Sequence, residues 1–179
     1  LLVSMHDASW ANEETIIDGH IFPRRSQYGR TQFLATPGLW DGDEAHVHFT
    51  GWKSGIIKRM CRSTFRAETQ GCCYAMEAGV VIRALIAEIF GAKRRHDMNW
   101  EDSCAAVKKH LWLTDCQSLR DYCCNPSAAA PEDKRLEIDL EGLREYLWEY
   151  PDGSLKDYLS EDEHDRIRWI DTSTMLCDP

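Results

Sequence analysis

The sequence predicts an α/β domain built on a mixed, five-stranded sheet that is covered by helices. Three observations lead to this prediction. Three early segments, each with alternating polar and apolar residues, are joined by short connections, which favours an antiparallel meander. A long amphipathic helix follows them, and the rest of the chain alternates between strand and helix patterns.

Five segments have the residue alternation or the flanking turns that are typical of strands. Their predicted bounds are residues 1–9, 27–35, 46–53, 110–115 and 166–171. In the first strand, Val3, Met5 and Asp7 share one face, because successive strand residues point to opposite faces. Pro37 and Gly38 end the second strand, so the first three strands are expected to pair as hairpins.

The longest predicted helix covers residues 63–90, with Ser63 or Thr64 as N-cap and Gly91 as its stop. The expected buried stripe of this helix contains Phe65, Glu68, Cys72, Ala75, Met76, Gly79, Ile82, Ile86 and Ile89. Gly79 weakens the helix but can allow close approach to the sheet.

Three more helices are predicted after the fourth strand. One covers residues 117–124, and another runs from Pro131 to about residue 150. A last helix is expected to be capped by Thr172 or Ser173 and to be cut short by the chain end.

The length of 179 residues suits a single domain over residues 1–179. We expect a piece excised from a longer protein, because the chain lacks an initiator Met and ends abruptly. Neither a membrane span nor a secretory signal is recognisable. Eight cysteines without any C-x-x-C pair favour reduced thiols rather than a zinc site. These features predict an intracellular protein, cytoplasmic or nuclear, that is not secreted and has no membrane partner.

The net charge of −9 argues against general binding of polyanions, but the charge is unevenly distributed. Residues 22–66 contain three acids and eight basic residues: Arg24, Arg25, Arg30, Lys53, Lys58, Arg59, Arg62 and Arg66. Residues 130–165 contain thirteen acids and four basic residues. This asymmetry permits a local phosphate-binding face, and a solvated charged surface fits it equally well.

Three carboxylates fall on apolar faces, where an unpaired charge is costly. Asp7 lies in phase with Met5 in the first strand, and Asp115 ends the fourth strand in phase with its leucines. Glu68 falls on the apolar stripe of the long helix. If the first and fourth strands are neighbours, the three carboxylates meet in one cleft.

Carboxylates that share a cleft repel one another unless a cation lies among them. An all-oxygen set of ligands selects Mg²⁺ or Mn²⁺, and two such ions suit the hydrolysis of a phosphodiester. The alternative is that each acid is a separate capping or surface group.

Six motifs, in order along nearly the whole chain, resemble the ribonuclease H domains of copia-type LTR retrotransposon polyproteins. HDASWAN (residues 6–12) resembles the DADWAG-type first strand, and RSQYG (residues 25–29) the basic turn into the second. GWKS…CRSTFRAETQ resembles SWSSKKQ…SSTEAEY, and LTDCQSL resembles CDNQSA. KRLEIDLEGLRE resembles KHIDIRYHFIRE, and WIDTSTMLCDP resembles the closing VPTEEQLAD segment.

The resemblance implies a ribonuclease H-like fold, with three antiparallel strands and then two parallel ones. It implies that Asp7, Glu68, Asp115 and Asp178 are the catalytic residues and ligate two Mg²⁺ ions, with Mn²⁺ possible. Asp178 rests mainly on the resemblance, since Asp171 also lies at a strand end. The implied reaction is cleavage of the RNA strand of an RNA–DNA hybrid, beside the reverse transcriptase domain of the same polyprotein.

The candidate substrate-binding residues fall into two groups. Gln117 and Ser118, at a helix N-terminus beside Asp115, are expected to contact the RNA 2′-hydroxyls. The candidates for backbone phosphates are Arg25, Ser26, Gln27, Lys53, Lys58 and Arg59. We expect Trp10, Trp52, Trp112 and Trp169 to be core residues, and His110 to be a structural or surface residue.

Two other functions fit the same sequence. The domain can be a catalytically inactive module that binds hybrid and tethers it beside a polymerase. It can also be a nuclease or transposase of the same fold that acts on DNA.

Overall fold

The computed structural model describes residues 1–90, 109–125, 127–148 and 165–177. Their strands form one sheet in the order β3-β2-β1-β4-β5. The strands are β1 (Leu2–Ile17), β2 (His20–Ala35), β3 (Val47–Ile56), β4 (His110–Thr114) and β5 (Arg166–Trp169). β1, β2 and β3 pair antiparallel, whereas β4 pairs parallel with both β1 and β5. The predicted α/β architecture, a five-stranded mixed sheet of three antiparallel and then two parallel strands, is confirmed.

β1 and β2 are longer than predicted and are joined by a two-residue turn at Asp18 and Gly19. Both turn residues have positive φ, 52° and 77°, which is the geometry that an Asp-Gly hairpin turn favours. The pairing is irregular between Ser9 and Thr15. Because that irregularity interrupts the alternation in the sequence, the prediction ended β1 too early and began β2 too late.

The three helices are α1 (Thr64–Ile89), α2 (Gln117–Cys124) and α3 (Lys134–Trp148). Ser63 is the N-cap of α1, and its side chain accepts a hydrogen bond from the Arg66 amide. α3 begins later than its predicted start at Pro131, because the Asp133 carboxylate accepts hydrogen bonds from the first amides of the helix. The predicted stop of α1, Gly91, lies outside the described residues.

The buried stripe of α1 was predicted correctly only in its first half. Ile82 and Ile86 are half-buried and Ile89 is exposed, whereas Val80, Ala84 and Ala87 are buried. Val80 and Ala84 belong to the main core, which lies between α1, α2, α3 and one face of the sheet. Small side chains let α1 pack closely there, and the larger isoleucines lie at the margin.

The opposite face of the sheet is covered by irregular segments among the described residues. Trp40 packs there with Val3 and Leu111, while Met175 and Cys177 pack against Met5. The prediction of a last helix is wrong for the described residues after β5. These residues contain only a 3-10 turn, over Thr172–Thr174.

The N-cap of that 3-10 turn is Asp171, rather than Thr172 or Ser173 as predicted. The reason is that the Asp171 carboxylate accepts hydrogen bonds from both the amide and the hydroxyl of Ser173. β5 ends at Trp169, two residues before its predicted end.

The described cysteines carry free thiols, as predicted: Cys61, Cys72, Cys73, Cys116, Cys123, Cys124 and Cys177. Among the described helices, none is both long enough and apolar enough to cross a membrane.

Gly79 marks the closest approach of α1 to the sheet. A Cβ atom at this position would lie 2.2 Å from Cε1 of His110 and 3.1 Å from the Ser4 hydroxyl. The His110 ring is held in place, because its Nε2 lies 2.8 Å from the Ser4 hydroxyl and its Nδ1 accepts a hydrogen bond from Trp112. The close approach that the sequence suggested for Gly79 is therefore present.

We expect Gly79→Ala to lower the free energy of unfolding by about 3 kcal/mol, since an overpacked core must shift backbone or side chains. Gly142→Ala is the matched control on α3. A Cβ atom there meets no atom within 4 Å, so that variant is expected to gain up to about 1 kcal/mol from helix propensity. Urea unfolding of both variants measures the difference, and equal stabilities would contradict the tight packing at Gly79.

Candidate metal centre

Two of the three predicted carboxylates are brought together by the parallel pairing of β1 with β4. Met5 pairs with Leu113 and His6 with Thr114, so Asp7 of β1 lies beside Asp115, the residue directly after β4. Side chains alternate between the two faces of a sheet, so Asp7 lies on the same face as Met5, and Asp115 on the same face as Leu113. The expected meeting of Asp7 and Asp115 is confirmed, although Asp7 lies within β1 rather than at its end.

Glu68 reaches the same place from the first turns of α1. The helix lies close to β1 here, since a Cβ atom at Gly71 would be 3.5 Å from the Asp7 carbonyl oxygen and from Cβ of Ala8. The Glu68 carboxylate accepts a hydrogen bond from the Ala8 amide at 3.2 Å. The same amide lies 2.7 Å from Oδ1 of Asp7. One backbone N–H thus links the helical and the strand carboxylates.

The three carboxylates form a compact cluster. Asp7, Glu68 and Asp115 each offer one oxygen atom, and these atoms all lie within 4.8 Å of one another. Glu68 is only 4% exposed, whereas the two aspartates are half-buried. Oε2 of Glu68 is buried and has no hydrogen-bond partner among the described residues. A buried carboxylate oxygen of this kind needs a proton or a cation.

Burial raises the pKa of Glu68 to about 9, and repulsion by Asp7 and then by Asp115 contributes to the rise. The hydrogen bond from the Ala8 amide opposes it. Near neutral pH the cluster therefore holds a proton on Glu68 unless a cation replaces that proton. Hard oxygen donors at this spacing fit Mg²⁺ or Mn²⁺ and do not favour zinc or copper.

Cys177 lies beside the cluster, and no pattern in the sequence indicated this position. Its thiol is buried next to Met175, in the same group as Met5. Burial raises the pKa of this thiol strongly, and the charges of Asp7, Asp115 and Glu68 raise it further. The segment after β5 thus passes close to the carboxylates.

The predicted fourth ligand, Asp178, lies outside the described residues and stays a prediction. Its alternative, Asp171, has another role, since its carboxylate caps the 3-10 turn after β5. Within the described part of the chain, the carboxylate cluster consists of Asp7, Glu68 and Asp115 without Asp171.

The predicted substrate residues occupy two places. Gln117 and Ser118 are exposed in the first turn of α2, directly after Asp115. The other six lie on β2, β3 and the loop after β3: Arg25, Ser26, Gln27, Lys53, Lys58 and Arg59. They do not form one surface, because Lys53, Lys58 and Arg59 are exposed while Ser26 is buried.

Two of these basic side chains have partners within the protein. The Arg25 guanidinium donates to the Lys58 carbonyl oxygen at 3.0 Å. The Arg59 guanidinium forms an ion pair with Asp139 of α3 at 3.1 Å. A phosphate at Arg59 must therefore compete with a carboxylate, which makes Lys53 and Lys58 the stronger candidates of the group.

The prediction that four tryptophans are core residues is correct only for Trp112. Trp52 and Trp169 lie on the two edge strands, where one flank is open, and Trp10 lies in the irregular part of β1. The indoles of Trp10 and Trp169 each donate to a backbone carbonyl, that of Cys61 and that of Asp115 respectively. His110 is buried, which fits a structural residue and not a surface one.

No protein-family model matches the chain, and none of the curated proteins gives a significant match. Solved structures similar to it include RNase H1 from the halophilic archaeon Halobacterium salinarum NRC-1, with a TM-score of 0.48 and 12% identity, over 97% of this chain and 87% of that chain. Another is the N-terminal RNase H domain of a Mycobacterium tuberculosis protein fused to maltose-binding protein. Its TM-score is 0.48 and its identity 12%, over 97% of this chain and 84% of that chain. The fold assignment rests on the strand order and directions given above.

Proposed function

We propose that this chain is a metal-dependent endonuclease that hydrolyses the RNA strand of RNA–DNA hybrids. The observation that supports the proposal is the cluster of Asp7, Glu68 and Asp115, whose oxygens lie within 4.8 Å of one another around an unsatisfied oxygen of Glu68. Asp178 completes the proposed ligand set, as the resemblance to copia-type ribonuclease H domains implies. Two Mg²⁺ ions are the proposed cofactors, and Mn²⁺ suits the same ligands.

Each residue of the cluster has a distinct part in this mechanism. Asp7 lies in β1 and Asp115 directly follows β4, which pairs with β1, so their carboxylates need little reorganisation to hold a cation. Glu68 holds the proton that a cation displaces, and the Ala8 amide orients its Oε1 atom. When bound, the ions supply an activated water for attack on phosphorus and stabilise the departing 3′ oxygen.

Recognition of RNA is assigned in this proposal to residues next to Asp115. Gln117 and Ser118 offer exposed polar side chains in the first turn of α2, two and three residues after Asp115. The 2′-hydroxyl is the group by which a protein distinguishes RNA from DNA, and it lies in the wide minor groove of the hybrid. Lys53 and Lys58 are exposed and are proposed to contact phosphates further along the substrate.

We also propose an origin in a copia-type retrotransposon polyprotein, with a reverse transcriptase domain as neighbour. The support is the order of the six motifs, two of which each lie within one element of the fold. HDASWAN lies in β1, LTDCQSL runs from β4 into α2, and KRLEIDLEGLRE belongs to α3. Such a domain acts inside the cell, in a cytoplasmic particle or in the nucleus.

Incubation with RNA–DNA hybrid, duplex DNA and duplex RNA in Mg²⁺ buffer tests the function. We expect cleavage of the RNA strand of the hybrid alone, with 5′-phosphate and 3′-hydroxyl ends, and no cleavage in EDTA. Binding of the hybrid without cutting would instead support the tether function. Cleavage of duplex DNA would support a DNA-directed nuclease of the same fold.

A further inference from the structure

The backbone of Asp115 is held differently from that of Asp7. Asp7 pairs with Gly29 inside the ladder between β1 and β2. The pairing of β4 with β1 and with β5 ends at Thr114 on both sides, so Asp115 lies one residue beyond the last paired position. Strand pairing alone therefore does not fix the backbone of Asp115, and contacts from side chains contribute to its position.

The peptide unit between Asp115 and Cys116 is held by one side chain at each end. Its carbonyl oxygen, that of Asp115, accepts a hydrogen bond from the indole Nε1–H of Trp169 at 2.8 Å. Its amide, that of Cys116, donates to the hydroxyl oxygen of Thr114 at 3.1 Å. Because a peptide unit is planar, two hydrogen bonds at its opposite ends fix the rotation of the whole plane.

The rotation of this plane affects where the Asp115 carboxylate lies. The peptide unit before Asp115 is fixed by β4, and the one after it by the two hydrogen bonds, so the Cα–Cβ bond of Asp115 has a defined direction. One oxygen of this carboxylate lies within 4.8 Å of oxygens of Asp7 and Glu68. A rotation of the plane would move that oxygen relative to the other two.

The place of Trp169 at the end of β5 suits it to this contact. Trp169 pairs with Thr114, so its side chain starts beside the end of β4. The next amide of β5, that of Ile170, donates to the Thr114 carbonyl oxygen at 2.9 Å, and the indole takes the following carbonyl, that of Asp115. An indole offers a donor and no acceptor, which matches a carbonyl oxygen. The Trp169 side chain is 47% exposed, so burial in the core does not account for a tryptophan here.

We propose that Trp169 is a positioning residue for the metal centre, whose indole N–H holds the peptide plane that directs the Asp115 carboxylate. This inference rests on the function proposed above and adds a residue to its site. Groups that orient a metal ligand raise the affinity for the metal, because without them the ligand must be ordered when the ion binds.

Binding of Mn²⁺ without substrate, measured by electron paramagnetic resonance, tests the inference independently of cleavage. Trp169→Phe keeps an aromatic ring and removes the donor. We expect this variant to bind Mn²⁺ about tenfold more weakly, which is the lower end of the loss typical for partners that orient a metal ligand. In the cleavage assay, the Mg²⁺ concentration that gives half of the maximal rate should rise by about the same factor. The rate at saturating Mg²⁺ should fall less.

Trp10→Phe is the matched control. Trp10 is 44% exposed, and its indole donates to the carbonyl oxygen of Cys61 at 3.1 Å. This variant loses the same kind of hydrogen bond, but the acceptor belongs to a residue outside the carboxylate cluster. Its affinity for Mn²⁺ should equal that of the wild type, so a general effect of losing an indole donor is excluded.

Thermal unfolding of both variants separates metal affinity from folding. Unchanged Mn²⁺ affinity in Trp169→Phe overturns the inference, whether or not its melting temperature falls, and so does an equal loss of affinity in both variants. Absence of Mn²⁺ binding by the wild type would overturn the metal centre together with this inference. Failure of the nuclease function alone has a different result, which is a wild type that binds Mn²⁺ and does not cut the hybrid.

Discussion

Replacing Asp7 with Asn is expected to lower cleavage of an RNA–DNA hybrid by at least about 10³-fold, because a metal ligand supplies several kcal/mol of transition-state stabilisation. The amide has the shape of the carboxylate, and its oxygen can still accept the hydrogen bond that the Ala8 amide makes to Asp7 at 2.7 Å. Loss of one negative charge also relieves the repulsion that acts on Glu68. The variant should therefore fold as well as the wild type.

Asp121→Asn is the matched control, since Asp121 is an exposed aspartate on α2 that pairs with its neighbour Arg120. Single-turnover cleavage in Mg²⁺ and thermal unfolding, measured on both variants, separate activity from folding. Full activity in the Asp7 variant would remove Asp7 from the catalytic set. A low melting temperature together with low activity would mean that Asp7 is structural.

The sequence determines the position of the cluster because the alternation of strand residues is a strict geometric rule. Asp7 and Asp115 were each assigned to a face by counting from Met5 and Leu113, and the parallel register places them side by side. Glu68 was assigned by helical spacing within the first turns of α1, close to the Ser63 cap that fixes the helix start. Over so few residues, counting along the sequence rarely assigns a side chain to the wrong face of a strand or helix.

Other features depend on packing between distant segments, which a single sequence does not reveal. The second half of α1 buries Ala84 and Ala87 rather than Ile89, because close packing on the core decides which side chains fit. Trp52 has the alternation of a buried strand residue and is exposed, because β3 is an edge strand. Cys177 lies beside the carboxylates only because the segment after β5 crosses the sheet next to Met5.

Replacing Glu68 with Gln is expected to stabilise the metal-free protein while it removes activity. The pKa of Glu68 is raised to about 9 in the folded protein and is about 4.5 when the group is unperturbed. Between these values the folded state binds more protons than the unfolded state, so the wild type loses stability as the pH rises from about 4.5 to 9. The glutamine side chain does not titrate between about pH 4.5 and 9, so the variant does not lose stability in this pH range.

The two proteins should have nearly equal stability near pH 4.5, and the variant should be more stable by about 4 kcal/mol at pH 8. For a domain of this size, that corresponds to a melting temperature higher by about 8–16 °C. Mg²⁺ should make the wild type the more stable of the two proteins. A cation among Asp7, Glu68 and Asp115 takes the place of the proton on Glu68 and stabilises only the wild type.

Thermal unfolding at several pH values, in EDTA and in Mg²⁺, measures these differences. Glu77→Gln is the matched control, because Glu77 is an exposed glutamate on the same helix and its replacement should leave the pH profile unchanged. A constant difference between the Glu68 variant and the wild type at all pH values would show that Glu68 is ionised without metal. The cluster would then lack the repulsion that makes a cation favourable there, and the proposal of a divalent metal centre would lose its physical basis.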